Sequence, residues 1–288
     1  MLLKARAFSY ARPTTMVEAL ETFAASGEDA SYIAGGQSLV PALALRLQAP
    51  QTLIDIAHID ELRGIELQGD WLRIGALTRH CEALTDSLIA RHAPLFHEAA
   101  PHVAHPAIRN KGTLGGSIAL ADPASEFPAM ALAMGAELEI ANRAGTRRVP
   151  ADDFFHDLFQ TAIEPGELLV AIHVPIVRAG QRWAFDELAR RRGDYAIVGA
   201  GILADFNGDL VEQIRLVFFA VGNTPVRAKA AEQALLGRRL DRDTVLAAQA
   251  ALVDELAPPD DEHTPASMRL HLARVLLGRL LGRLSEAA

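Results

Sequence analysis

Two short glycine-rich segments carry the residue types that hold an anion. Ala34-Gly35-Gly36-Gln37-Ser38 lies between an apolar strand-like run, which includes Ile33, and an apolar helical run that begins at Leu39. Glycine lets backbone N–H groups approach a ligand with no Cβ in the way. A helix start adds unpaired donors. One such turn also serves as an ordinary strand-to-helix turn that needs positive φ. The second segment, Thr113-Leu114-Gly115-Gly116-Ser117, is what points to a ligand. Two double-glycine turns, each followed by a hydroxyl, predict two loops that grip a pyrophosphate from both sides.

Other patterns carry less chemistry. Gly199-Ala200-Gly201-Ile202-Leu203-Ala204 fits the dinucleotide fingerprint, but Asn207-Gly208-Asp209 follows where a helix is required, so the segment reads as one continuous strand. Gly115-Gly116-Ser117-Ile118-Ala119 is one residue short of a serine-nucleophile elbow and lacks the preceding strand. His92, His97, His102 and His105 cluster without a metal-ligand spacing. Cys81, the sole cysteine, reads as packing.

The elements that must position the glycine turns are readable from punctuation and periodicity. Lys4 to Ser9 reads as a strand. Thr15 and Glu18 form a capping box for a helix that turns Val17, Leu20 and Phe23 to one face and stops near Gly27. Strands are expected at 32–34 and 52–56, a hairpin over 65–76, and short helices over 78–84 and 94–103. Residues 104–124 read as a long binding loop. Ser125 opens a helix to about Met134, strands return over 136–149, and a turn at 164–167 leads into the strand 168–174. After a linker at 175–182 the pattern changes to a hairpin, 195–206 and 210–221, followed by helices over 225–237, 241–256 and 264–285. A boundary near 176 separates a mixed α/β part from a small antiparallel sheet plus helices, an α+β arrangement overall.

Composition narrows the class. The chain has 288 residues, 50% hydrophobic and 22% charged, with a formal net charge of -8. That is globular, with no basic face for nucleic acid. No stretch reaches about 18 uncharged apolar residues, so no membrane span is expected. One cysteine excludes an internal disulfide and a cysteine-ligated iron–sulfur cluster within this chain. With no apolar leader at the N-terminus, the reading is cytoplasmic.

Five segments in order resemble the FAD-binding medium subunits of the molybdenum hydroxylases, the family of aerobic carbon monoxide dehydrogenase and xanthine dehydrogenase. They are Ala34 to Leu39 with Pro41 and Arg46, Ile108 to Ser117, Asp122 to Ala129, Ile163 to Leu168, and Arg192 to Ala196. The resemblance implies a two-part FAD-binding domain of the PCMH, vanillyl-alcohol-oxidase-like type over 1–176, with subdomains of about 1–56 and 57–176. A carbon monoxide dehydrogenase flavoprotein-type domain follows over 177–288. It further implies non-covalent FAD on Ile33, Ala34, Gly35, Gly36, Gln37, Ser38, Leu39, Ile108, Thr113, Gly115, Gly116 and Ser117. Val103 falls on the adenine side, Glu126 takes the place of an acidic cofactor contact that is often Asp, and Leu169 and Tyr195 lie near the isoalloxazine ring. No residue of this chain is assigned a catalytic or metal-binding role. The molybdopterin and [2Fe–2S] groups belong to large and small partner subunits, arranged as a dimer of heterotrimers. Electrons pass through FAD to an external acceptor. The alternative is a self-sufficient flavin oxidase of the same fold. Many of these tether FAD through His or Cys near the first glycine turn, and residues 31–40 contain neither.

Overall fold

The computed structural model describes residues 4–27, 29–261 and 264–286, so the outermost ends of the two expected halves, 1–3 and 287–288, lie outside the described residues. Three layers follow one another along the chain. The first is a parallel sheet of β1 (Ser9–Ala11), β2 (Ala30–Ile33) and β3 (Thr52–Asp55) in the order β1-β3-β2, connected by α1 (Met16–Ser26) and α2 (Leu39–Leu45). The α1 cap is half a capping box. Thr15 accepts from the Glu18 N–H at 3.2 Å, but the Glu18 carboxylate turns to the Thr14 N–H at 2.8 Å. Leu20 is buried as expected, whereas Val17 is 61% exposed. The 100° step per residue that buries Leu20 carries Val17 past the edge of the apolar stripe. The first strand starts at Ser9 rather than Lys4. Ser9 is where pairing with Thr52 begins, and the earlier residues have no partner strand.

The second layer is an antiparallel sheet of β4 (Ile65–Gln68), β5 (Trp71–Gly75), β6 (Glu137–Asn142), β7 (Gly145–Pro150) and β10 (Leu168–Pro175), in the order β4-β5-β10-β6-β7. A small hairpin, β8 (Phe155–Asp157) and β9 (Gln160–Thr161), precedes β10. Between β5 and β6 run six short helices: α3 (His80–Ala83), α4 (Ser87–His92), α5 (Pro94–Ala99), α6 (Pro106–Arg109), α7 (Leu114–Leu120) and α8 (Glu126–Ala133). The expected long loop over 104–124 is therefore two helices and their joints. Pro106 at the first position of α6 and the Thr113 cap of α7 start them, and neither is long enough to show a helical period. The α4 helix, capped by Asp86, was also hidden by its length.

The third layer is an antiparallel sheet of β11 (Arg182–Ala189), β12 (Ala196–Asn207), β13 (Leu210–Phe219) and β14 (Val226–Arg227), in sequence order, covered by α9 (Lys229–Leu235), α10 (Arg242–Ala251) and α11 (Ala266–Glu286). Gly199 to Ala204 lies inside β12, so the fingerprint-like run is a strand. The β11 strand begins at Arg182, the last residue of the expected linker, and runs over residues to which the sequence reading gives no element. Every residue of α8 is buried, and one core joins Phe96, Phe127 and Met130 of the middle layer to Phe185, Val217 and Phe219 of the third. At about 25 cal/mol per Å² of apolar area, this shared core fixes the seam between the two halves. No helix among the described residues is long and apolar enough to cross a membrane.

Candidate functional site

The first glycine turn leaves β2 and enters α2. From Gly35 through Leu39, five consecutive backbone N–H groups have no acceptor among the described residues. Free donors are usual at a helix start; here the run extends back through the glycines, and Gly35, Gly36 and Gln37 line one cavity, which makes the turn an anion cradle. Gly36 sits at φ +69, and a Cβ there would meet the Val40 and Ile33 side chains at 3.2 and 3.3 Å. A Cβ on Gly35 would overlap the Lys111 carbonyl oxygen and lie 2.9 Å from Gly112 Cα. The first glycine segment thus meets, backbone to backbone, the two residues that lead into the second. The cavity over the turn, about 420 Å³, is lined by Tyr10, Gln37, Val40, Asp55 and Lys111 among others. The Tyr10 hydroxyl donates to Asp55, whose other oxygen accepts from the Ala57 N–H at 2.9 Å. Lys111 is the cation of this cavity. In the sequence it lies inside the Ile108–Ser117 segment with no local pattern to mark a role. Its place beside the first turn depends on a contact between distant segments.

The second glycine pair is built differently. Gly115 and Gly116 occupy the first turn of α7, and its N–H groups are already used. Leu114 donates to Thr78 O at 2.8 Å, Gly115 to Ala76 O at 2.9 Å, Gly116 to Thr113 Oγ1 at 3.0 Å and Ser117 to Thr113 O at 3.0 Å. A Cβ on Gly115 would meet Ala76 at 2.5 Å, so that glycine lets α7 lie against the end of β5. Gly116 is on the open side. The expected symmetric pair of N–H cradles is thus one cradle and one capped turn that presents Gly116 and the Ser117 hydroxyl.

The remaining expected residues fall in two groups. Val103 is buried next to the α6 joint, and the Ile108 carbonyl accepts the Lys111 and Gly112 N–H groups at 3.0 and 2.7 Å. Leu169 is buried on β10. Tyr195 immediately precedes β12 and is 70% exposed, with Asp122 and Glu126 close enough to act on its phenol. Burial of that end, then the Asp122 and Glu126 charges, push its phenol upward. Of the four histidines, His97 bonds the Ala83 carbonyl at 3.0 Å and His102 pairs with Glu187 at 3.2 Å.

Glu126 opens α8 and is 7% exposed. Burial, then the charges of Glu187 and Asp122, push its carboxyl from 4.5 up to about 8, with its own N–H opposing. The native state therefore holds a proton that the unfolded chain releases. This contribution to stability is fully present below about pH 4.5 and is lost as pH rises through about 8. Glu126→Gln is expected to remove that loss, so the variant gains on the parent across this window at up to about 1.4 kcal/mol per pH unit. Urea unfolding of both proteins at about pH 5, 7 and 9 checks this; parallel stability curves would refute it.

Comparison with known proteins gives the same architecture. Residues 6–177 match the family model of the FAD binding domain in molybdopterin dehydrogenase, and residues 183–284 that of the CO dehydrogenase flavoprotein C-terminal domain. The chain is 38% identical to 6-hydroxypseudooxynicotine dehydrogenase complex subunit alpha of Paenarthrobacter nicotinovorans, over 98% of this chain and 95% of that one. It is 35% identical to the carbon monoxide dehydrogenase medium chain of Hydrogenophaga pseudoflava, over 95% and 96%. The solved structure of carbon monoxide dehydrogenase from Hydrogenophaga pseudoflava lacking the Mo-pyranopterin moiety superposes with a TM-score of 0.95, at 37% identity and 98% coverage of each chain.

Fold and site together define a flavoprotein with the two-part, PCMH-type FAD-binding fold. The chain belongs to the FAD-binding medium subunits of the molybdenum hydroxylases, and so is part of an oxidoreductase. The residues present fit the cofactor: a turn with free N–H groups and no room for a Cβ lines one cavity together with a lysine.

Proposed function

We propose that this chain binds one FAD non-covalently, takes electrons from a [2Fe–2S] partner subunit and passes them to an external acceptor. The observation that carries the reading is the run of five unpaired N–H groups, Gly35 to Leu39, beside Lys111. A diphosphate accepts several such bonds at once, and each is charge-assisted. The α2 helix has only seven residues, so the local N–H groups outweigh its dipole. Lys111 neutralises charge on the diphosphate. Gly116 and Ser117 offer an open face and a hydroxyl to the sugar-like chain, and Val103 with the α6 joint walls the adenylate end. Leu169 and Tyr195 border the ring, where Tyr195 limits solvent access to one face.

When bound, FAD supplies the two-electron store that joins one-electron relays to a two-electron acceptor. The single cysteine of this chain places the clusters on a partner. The molybdopterin centre, which sets the substrate, belongs to a large subunit, and the assembly is read as a dimer of heterotrimers. The binding half of the reading is tested by acid precipitation of the purified, yellow protein. The flavin should remain in the supernatant and be identified there as FAD. Flavin retained in the pellet refutes non-covalent binding, and an apoprotein that takes up no FAD refutes the site.

A further inference from the structure

Arg109 closes α6, and its side chain folds back over the loop that precedes the helix. One terminal nitrogen donates to the carbonyls of Val103 at 2.9 Å and Ala104 at 2.8 Å, with a longer approach to Pro101 at 3.5 Å. Its Nε is buried without an acceptor. None of the ion pairs among the described residues includes it. A half-buried guanidinium is commonly matched to a carboxylate; here the hydrogen bonds it makes are to backbone carbonyls.

What those carbonyls hold is unusual. Ala104 lies at φ +44, in the left-handed region that a non-glycine residue avoids. Its carbonyl is confined from the other side as well, because a Cβ on Gly193 would lie 2.8 Å from the Ala104 oxygen and from the His105 ring. The same helical turn governs the cradle. The Ile108 carbonyl accepts from Lys111 and Gly112, the residues against which Gly35 packs. Arg109 therefore ties the strained 101–104 loop to the turn that delivers Lys111.

We propose that Arg109 is a positioning residue for cofactor selection: it holds the Val103–Ala104 wall at a fixed spacing from the Lys111 cradle, so that the adenylate half of FAD is gripped. This rests on the proposed function above. Lysine keeps the charge but ends in a tetrahedral ammonium on a differently shaped stem, which does not place a donor where the terminal guanidinium nitrogen meets both carbonyls. The consequence falls on FAD and spares FMN, which has no adenylate half.

The test uses the full chain stripped of flavin, as parent, Arg109→Lys and Arg109→Ala, titrated with FAD and with FMN by fluorescence quenching and followed by thermal melting. The parent should prefer FAD. Both variants should lose about tenfold or more in FAD affinity, while FMN affinity changes less than about twofold and the melting temperature of Arg109→Lys stays near the parent's. Methylguanidinium should restore FAD binding to Arg109→Ala. A parent that binds FMN as tightly as FAD overturns the underlying reading of the site, and the Arg109 role with it. A parent that prefers FAD, with variants that keep the same preference, overturns the Arg109 role alone. So does an equal loss of FAD and FMN that tracks the melting temperature, since that is the mark of a merely structural residue.

Discussion

Gly35→Val is expected to lower FAD affinity by at least about 100-fold, or about 2.8 kcal/mol, while the third layer of the fold stays intact. The added Cβ has nowhere to go. It would overlap the Lys111 carbonyl oxygen, and the next atoms it meets, Lys111 C at 2.8 Å and Gly112 Cα at 2.9 Å, are also backbone. Backbone yields less readily than a side-chain tip, and forced overpacking costs about 1–3 kcal/mol. The cheapest relief is to part the two segments, which carries Lys111 away from the five unpaired N–H groups. Binding then suffers twice, through lost charge and through a cradle no longer held in place. Gly36 gives a graded comparison. Its φ of +69 penalises valine, whereas asparagine tolerates that conformation, so Gly36→Asn should retain more flavin than Gly36→Val. At Gly116 the only near atom is Thr113 Oγ1, at 2.7 Å, so the damage there is loss of a helix cap, about 1 kcal/mol. Flavin-to-protein absorbance ratios of the purified variants, with equilibrium dialysis for FAD, measure the series. Full occupancy in Gly35→Val would show that the cradle lies elsewhere.

Much of this site was legible in the sequence, for identifiable reasons. Gly35 and Gly36 stood between a strand and a helix that each announced themselves within four to seven residues of apolar pattern. The hairpin at Gly69-Asp70 and the one at Asn207-Gly208 were fixed by turn chemistry. The second glycine pair was found but its setting was misread. A helix of seven residues whose first turn contains two glycines carries no period and poor propensity. It exists because Thr113 caps it and because Gly115 fits against Ala76. Lys111 and Arg109 were hidden for a different reason. Their roles arise from contacts with Gly35 and with the 101–104 loop, and nothing in local spacing reports them. The shared core between the layers was equally invisible, since α8 is apolar on every side and shows no face.

The isolated chain is expected to leave its flavin oxidised when mixed with any substrate of the complete complex, with reduction at least about 1000-fold slower than when the partner subunits are present. The argument starts from what the chain contains. Cys81 is its sole cysteine, so it cannot hold a thiolate-ligated cluster. Two of the histidines on the helices around the site have structural partners, His97 the Ala83 carbonyl and His102 Glu187, and His80 is enclosed against Gly112 and Phe127. Glu126, a buried acid near Tyr195, sits with Glu187 and Asp122 and is held largely protonated at neutral pH, which leaves it a poor general base. On the proposed function electrons then arrive from a partner, and a ring placed beside the exposed Tyr195 would be reachable by an external acceptor. Stopped-flow absorbance of the flavin, with substrate added to the lone chain and then to the reconstituted complex, separates the two cases. Bleaching of the lone chain at the rate of the complex would instead identify a self-sufficient flavin oxidase with a substrate site of its own.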